Sequence, residues 1–286
     1  MLSDRLVLLG TKGGPAIRAG GPNPTSHLLV MGGRPIIVDC GLGVTRGLVE
    51  AGLDLQDLRT ILITHLHSDH VLELGPLLHT AWTTGLSASI EIWGPPGIDA
   101  YWDRFCASMR FDIDLRVADE GRPPLRDLVT CREIAEGPLD LAGCTAAALR
   151  VEHPPVTDCF ALRLEVPGWS VVVGADTAPF PPLVEFARKA DILVHEAMRL
   201  DGVDLLCSRV GNTGRLKAHL LASHTPLEDA VRIAREAGAG RLLLNHLVPC
   251  DLPGFGLADW QAAAEAAWPG GPVTVGYDGM TVERGS

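Results

Sequence analysis

Residues 65 to 70 read His-Leu-His-Ser-Asp-His and follow directly on the buried-strand pattern Ile61-Leu62-Ile63-Thr64. A buried-strand pattern that gives way at once to donor side chains puts them on a loop at a strand's C-terminal end, where a rigid scaffold commonly carries a site. The spacing is chemically selective. His65 and His67 can converge on one ion, while Asp69 and His70 turn to a second, and neutral imidazole with carboxylate are donors that zinc accepts where a position stays open for water. With ten histidines in 286 residues, three in six positions is a poor chance event.

Three further donors repeat this placement. His153 follows the strand pattern Thr145 to Val151, Asp176 follows Ser170 to Val173, and His246 follows Arg241 to Asn245. Taken singly, a histidine or aspartate is more often a hydrogen-bonded structural group. Recurrence just past apolar runs argues instead that they share one site.

The rest of the chain supplies the scaffold. Further strands are expected at Leu6 to Leu9, His27 to Val30, Ile36 to Val38, Thr60 to Ile63, Ile90 to Trp93, Phe160 to Val166, Ile192 to His195 and Val273 to Val275. Many are apolar on both faces, as strands covered by helices must be. A helix is expected from Thr225-Pro226-Leu227-Glu228, with Thr225 as cap and Glu228 closing a capping box, as far as Gly238. Another follows Gly97, with Tyr101, Trp102, Phe105 and Met109 as a core-packing stripe. Asp201 to Arg215, rich in glycine and charge, reads as a loop. These patterns predict one domain over 1–286, with many strands and outer helices.

Charge and cysteine usage narrow the function classes. Lys plus Arg total 24 against 35 for Asp plus Glu, a formal net charge of −11, which repels a phosphate backbone unless a local basic patch overrides it. Nucleic acid is therefore disfavoured as a partner. Seven cysteines without a CxxC pair suggest neither a disulfide framework nor a thiolate metal cage, and Cys159 and Cys250, near the donors in sequence, read as packing. The N-terminus meets a charge almost at once, no signal-type segment follows, and no apolar run approaches the roughly 18 residues that span a bilayer. A soluble cytoplasmic protein without membrane contact is expected.

With these residues in view, the chain resembles the metallo-β-lactamase superfamily, whose HxHxDH signature residues 65 to 70 match without a gap. The likeness runs from Val38-Asp39-Cys40-Gly41 to Gly276-Tyr277-Asp278-Gly279. It implies an α/β (α+β) fold, a four-layer αββα sandwich, with His65, His67 and His153 on one zinc, Asp69, His70 and His246 on the other, and Asp176 bridging the two Zn2+; manganese or iron suits the same donors. Within the superfamily the ribonuclease Z and arylsulfatase-like branch is most similar. Ser223-His224-Thr225-Pro226 resembles its extra histidine element, so His224 is implied as a non-ligand group near the leaving oxygen, with Asp69 or Asp176 orienting the attacking water.

The implied activity is metal-dependent hydrolysis of a small phosphodiester or related ester such as a sulfate ester. Only 22 residues separate His153 from Asp176, where ribonuclease Z enzymes typically carry a long RNA-gripping arm, and this favours a small-molecule ester over transfer RNA. Lactone or amide hydrolysis by the same metal pair is the second reading, and a metal-bound sensing or scaffold protein the third. The branch often forms homodimers.

Overall fold

In the computed structural model the protein is described over residues 2–211 and 213–285; Met1, Asn212 and Ser286, which the N-terminal, loop and whole-chain expectations include, lie outside these. The first half of the chain runs β1 (Arg5–Gly10), β2 (Ser26–Met31), β3 (Arg34–Val38), α1 (Val44–Glu50), β4 (Thr60–Leu62), α2 (Ser68–Val71), α3 (Leu74–Thr83), β5 (Ile90–Gly94), α4 (Ile98–Ser108), α5 (Arg110–Glu120) and β6 (Val129–Glu133). The second half runs β7 (Gly137–Leu139), β8 (Thr145–Arg150), β9 (Phe160–Val166), β10 (Trp169–Val173), α6 (Pro182–Phe186), β11 (Ile192–Met198), α7 (Val203–Val210), α8 (Thr213–Ser223), α9 (Leu227–Ala237), β12 (Leu242–Val248), α10 (Leu257–Ala267), β13 (Val273–Val275) and β14 (Thr281–Glu283).

Each half builds a sheet, except that the last strand, β14, returns to pair with β1 of the first. One has the order β14-β1-β2-β3-β4-β5-β6 and the other β13-β12-β11-β10-β9-β8-β7. In both, antiparallel pairing on one side gives way to parallel strands, β3 to β6 and β10 to β13. The parallel strands need crossovers, and the helices supply them.

The period of two in the strands explains the layering. Leu6, Leu8, Leu29, Val38 and Leu62 point inward and meet Leu162, Leu164, Val171, Val194 and Leu243 of the other sheet in a shared core. Their neighbours Val7, Leu9, Leu28, Ile37 and Ile61 point outward to α1, α3 and α4, whereas Val172, Leu193, Leu242 and Leu244 meet α9 and α10. The result is the expected αββα sandwich. Burying each such Leu or Ile contributes about 1.5–3 kcal/mol.

Three strands escaped the sequence pattern, and all lie at sheet edges. β6 has two exposed positions at its end, β7 is three residues with Pro138 at its centre, and β14 is exposed on both sides of Val282. Edge strands carry polar residues or proline because one side lacks a ladder, so their apolar signal is weak.

Two other expectations are corrected. The supposed loop from Asp201 to Arg215 holds α7 and the start of α8; Gly202 and Gly211 bound α7, Gly211 at φ 84, and Gly214 lies in the first turn of α8, while Val203, Leu206, Cys207 and Val210 keep the i, i+3, i+4, i+7 spacing between charges. Thr225 does not cap α9. Its hydroxyl donates to the Thr177 carbonyl at 2.6 Å, which ties the segment to the site, and Pro226 takes the cap position without a side-chain bond. Gly238 does end the helix, at φ 63. The aromatic stripe of α4 packs on the core, with Trp102 buried and Tyr101, Phe105 and Met109 partly so.

Candidate metal centre

All seven sequence-nominated donors come together between the C-terminal ends of the two sheets. His65, His67, His153 and Asp176 form one group and Asp69, His70, Asp176 and His246 another, the donor atoms of each lying within 4.8 Å of one another. Asp176 Oδ2 belongs to both. It lies 3.8 Å from His65 Nε2, 3.3 Å from His70 Nε2 and 3.0 Å from His246 Nε2.

Local backbone aims these side chains. α2 begins within the motif, turning Asp69 and His70 inward while His65 and His67 stay ahead of it. Past β10, Ala175 adopts φ 57, and His246 sits at φ 42, a left-handed conformation rare for residues with a side chain. His246 is also the extra residue of a bulge, since Asn245 pairs with Glu196 and Leu247 with Ala197. A bulge re-aims a side chain that regular pairing would direct elsewhere.

The hydrogen bonds settle which nitrogens face the centre. Thr64 Oγ1 donates to Asp39 and therefore accepts from His65 Nδ1 at 3.1 Å, and His153 Nδ1 donates to the Ser223 carbonyl at 2.9 Å. Neutral His65 and His153 thus present bare Nε2 atoms, which lie 3.0 and 3.1 Å from the same atom, His67 Nδ1. One proton satisfies at most one of these contacts. His70 likewise gives Nδ1 to Asp39 Oδ2 at 2.8 Å, leaving a buried Nε2 without a hydrogen-bond partner and facing carboxylate oxygens. Lone pairs that converge in this way fit a divalent cation, and the nitrogen and oxygen donors suit one.

The protonation balance follows from burial and neighbours. Burial lowers His65 well below the usual imidazole value, with His70 adding to it, and lowers His67 to about 4, with His153 adding to it. For Asp69 and Asp176 burial works upward, but the neighbouring His70 and His246 outweigh it and hold both carboxylates well below the usual range. His65, His67 and the two carboxylates are thus in the ligand-ready forms, neutral imidazole and carboxylate, whereas for His70 and His246 burial works downward but the neighbouring Asp176 outweighs it and holds both above the usual imidazole value, protons that a cation would displace.

Beside the centre stands a pair of which the sequence marked only one member. His224, 6% exposed, donates Nδ1 to Glu196 Oε2 at 2.7 Å, while Glu196 Oε1 accepts from Thr177 N at 2.6 Å. Burial lowers His224, but Glu196 more than offsets it, so the net shift is upward. Glu196 was missed although it follows Ile192 to His195 as the other donors follow their strands. His219 of α8, also unmarked, joins the same wall, its ring centroid 6.2 Å from that of His67 and 5.9 Å from that of His224. The two cysteines near the ligands behave as packing: buried Cys159 gives Sγ to the Asp176 carbonyl, and Cys250 is half-buried beside the core.

These groups open on a cavity of about 410 Å3, lined on one side by His67, Asp69, Asp176, His224 and His246 and on the other by Leu206, Val210, Leu216 and Leu220 of α7 and α8. Gly13 and Gly14 also line it, with Gly14 N donating to Asp69 Oδ2 at 2.8 Å. No helix among the described residues is long and apolar enough to cross a membrane.

A model of the beta-lactamase superfamily domain matches residues 34–247. Ribonuclease Z of Mycobacterium sp. (strain KMS) is 36% identical over 268 residues, covering 92% of this chain and 90% of that one. Ribonuclease Z of Mycobacterium bovis (strain BCG / Pasteur 1173P2) is 34% identical over 282 residues, 97% of each chain. Among solved structures, the metallo-β-lactamase-fold protein YhfI from Bacillus subtilis has a TM-score of 0.72 at 23% identity, covering 99% of this chain and 100% of that one. The short form of human tRNase Z has a TM-score of 0.69 at 20% identity, with coverage of 99% and 100%.

These relatives overturn one expectation, that the partner is a small-molecule ester and nucleic acid is disfavoured. Both arguments for it fail on physical grounds. Net charge sums the whole surface and does not say where cations gather. The short interval from His153 to Asp176, filled here mainly by β9 and β10, does not discriminate either, because the M. bovis ribonuclease Z is matched over 97% of its own length.

Proposed function

The chain belongs to the metallo-β-lactamase-fold superfamily and to its ribonuclease Z branch, and from that premise we propose that it is a zinc-dependent endoribonuclease hydrolysing a phosphodiester of RNA. In this reading His65, His67 and His153 would hold one zinc ion and Asp69, His70 and His246 a second, with Asp176, common to both groups, shared between them. A bound zinc pair lowers the pKa of water toward neutrality and stabilises charge growing on the attacked phosphate.

The chain's own residues do the rest. Asp69, fixed by Gly14 N, accepts a hydrogen bond from the attacking water and orients it. Asp39 holds His70 through Nδ1, and such a partner behind a ligand raises its basicity and sets its tautomer. The apolar face of α7 and α8 keeps bulk water from the reacting phosphate. The observation that carries the reading is the buried His224–Glu196 pair. Glu196 holds the Nδ1 proton and raises the imidazole's affinity for a second one, so Nε2 can protonate a ribose oxygen as it leaves. A free alkoxide is a poor leaving group and needs that proton.

Zinc-loaded protein incubated with precursor transfer RNA is expected to cleave it, with activity lost to a chelator and restored by zinc. A His67→Ala variant is expected to purify with reduced zinc. Failure of the fully loaded protein to cut any RNA offered refutes the proposal, and unchanged metal content in the variant refutes the ligand assignment.

A further inference from the structure

An acidic protein that holds RNA needs positive charge concentrated somewhere, and one aspartate gathers it. Asp251 Oδ2 accepts from Lys12 Nζ at 2.8 Å and from Arg18 Nε at 2.6 Å. Its backbone carbonyl accepts from Arg209 Nη1 of α7 at 3.4 Å. Three cations against Asp251 and the nearby Asp278 leave one positive charge in excess. The Lys12 and Asp251 side chains are 6% and 4% exposed, while Arg18 keeps 27%.

The position of this cluster matters more than its charge. Arg18 lines the catalytic cavity and also a neighbouring cavity of about 640 Å3, whose walls include Leu257, Trp260, Tyr277 and Asp278. It meets Asp251 through Nε alone, so among the described residues its two terminal amino groups make no hydrogen bond to protein. Asp278 on the far wall has its oxygens occupied by Thr11 Oγ1 at 2.7 Å and Asn23 N at 2.7 Å. The mount is firm, because Lys12 forms a β-bridge with Leu247, the residue after His246. Tyr277 is 50% exposed and presents a ring of the kind on which a base can stack.

We propose that Arg18 and Arg209, backed by Lys12, form a phosphate-binding subsite for the RNA strand beside the scissile bond, with the flanking nucleotide in the larger cavity. The inference rests on the RNA reading above. Interactions of this kind position a backbone without reading sequence, and here they take the place of an inserted arm.

The test is the salt dependence of RNA binding by the zinc-loaded full chain, followed by fluorescence anisotropy with labelled precursor transfer RNA. Neutralising one phosphate-binding side chain reduces the slope of log affinity against log salt by about 0.7–0.9. Arg18→Gln and Arg209→Gln are each expected to lower it by that amount, the double variant by about twice as much, and Arg18→Lys to restore it. Arg188→Gln, the same charge change on the surface beyond α6, is expected to leave the slope unaltered. Lys12 and Asp251 stay intact in every variant, so the buried pair is preserved. A double variant with the wild-type slope, or an Arg188→Gln effect of equal size, overturns the subsite while RNA cleavage by the wild type still stands. A wild type that neither binds nor cleaves RNA overturns the function and the subsite together.

Discussion

Glu196 and His224 act as one unit, because each side chain's position is set by the other. Glu196 is 2% exposed and has two fixed donors, His224 Nδ1 and Thr177 N. Replacing it with Gln keeps the shape but removes the charge that makes His224 proton-rich. Glu196→Gln is therefore expected to lower kcat by about 10²-fold or more and His224→Ala by roughly 10²–10⁴-fold, the range for a general acid. The double variant is expected to lose no more than His224→Ala alone, as residues acting as a unit do. Steady-state kinetics with zinc content measured alongside checks this; fully additive losses would show that the two act separately. The seven side chains that the fold gathers were legible from sequence as candidate donors because histidine and aspartate past an apolar run are conspicuous. Glu196 was not, since a lone glutamate past an apolar run carries no sign of its partner, and only the pairing with His224 reveals its use. Arg18 and Asp251 were illegible for a like reason: 233 residues separate them.

Strand ends do the positioning, and the end of β12 shows how. The bulge at His246 and its φ of 42 direct the imidazole toward Asp69 and Asp176. The segment after β1 lies directly upon it, with Gly13 N donating to the Leu247 carbonyl at 3.2 Å. A Cβ at Gly13 would lie 2.4 Å from Val248 Cγ2 and 2.8 Å from His246 Cε1. Gly13→Ala must therefore displace the bulge or the loop, at a cost of about 1–3 kcal/mol for overpacking. Zinc affinity is expected to fall with stability, read by chelator competition and urea unfolding; a variant with native zinc affinity would show that the bulge holds His246 unaided. Of the strands that lead to the donors, β4, β10 and β12 were legible because they are buried on both faces, and β8 by its alternation of buried and more open positions. Edge strands β6, β7 and β14 were not, and helices α7 and α8 were obscured by glycines, Gly202 and Gly211 at the ends of α7 and Gly214 in the first turn of α8. These two helices form the cavity wall, so the sequence pattern located the metal donors and missed the surface facing them.

At the scale of the whole molecule, the site is assembled from both halves: His65 to His70 come from the first sheet, and His153, Asp176 and His246 from the second. The αββα class was legible because each half alternates apolar strands with helices, but nothing in that alternation states how the halves are locked at their rim. One lock is the Lys12–Asp251 pair, 239 residues apart, with side chains 6% and 4% exposed. Burial pushes the Asp251 carboxyl up, but Lys12 and Arg18 more than offset it, so its folded value lies below the ordinary 3.8. A carboxylate whose folded pKa is depressed contributes stability that is present above the unfolded value and lost as pH falls through the folded one. Asp251→Asn removes the charge at every pH and leaves the Lys12 ammonium buried without a counter-ion, a loss of about 3 kcal/mol. The stability gap between wild type and Asp251→Asn, measured by urea unfolding, is thus expected to be constant from about pH 7 to about pH 4. It then narrows with further acid, because the wild-type carboxylate is itself becoming neutral. A gap that persists undiminished in strong acid would place the cost in packing. A gap that closes places it in charge, and shows that the same aspartate that collects cations at the cavity mouth also joins the two ends of the chain.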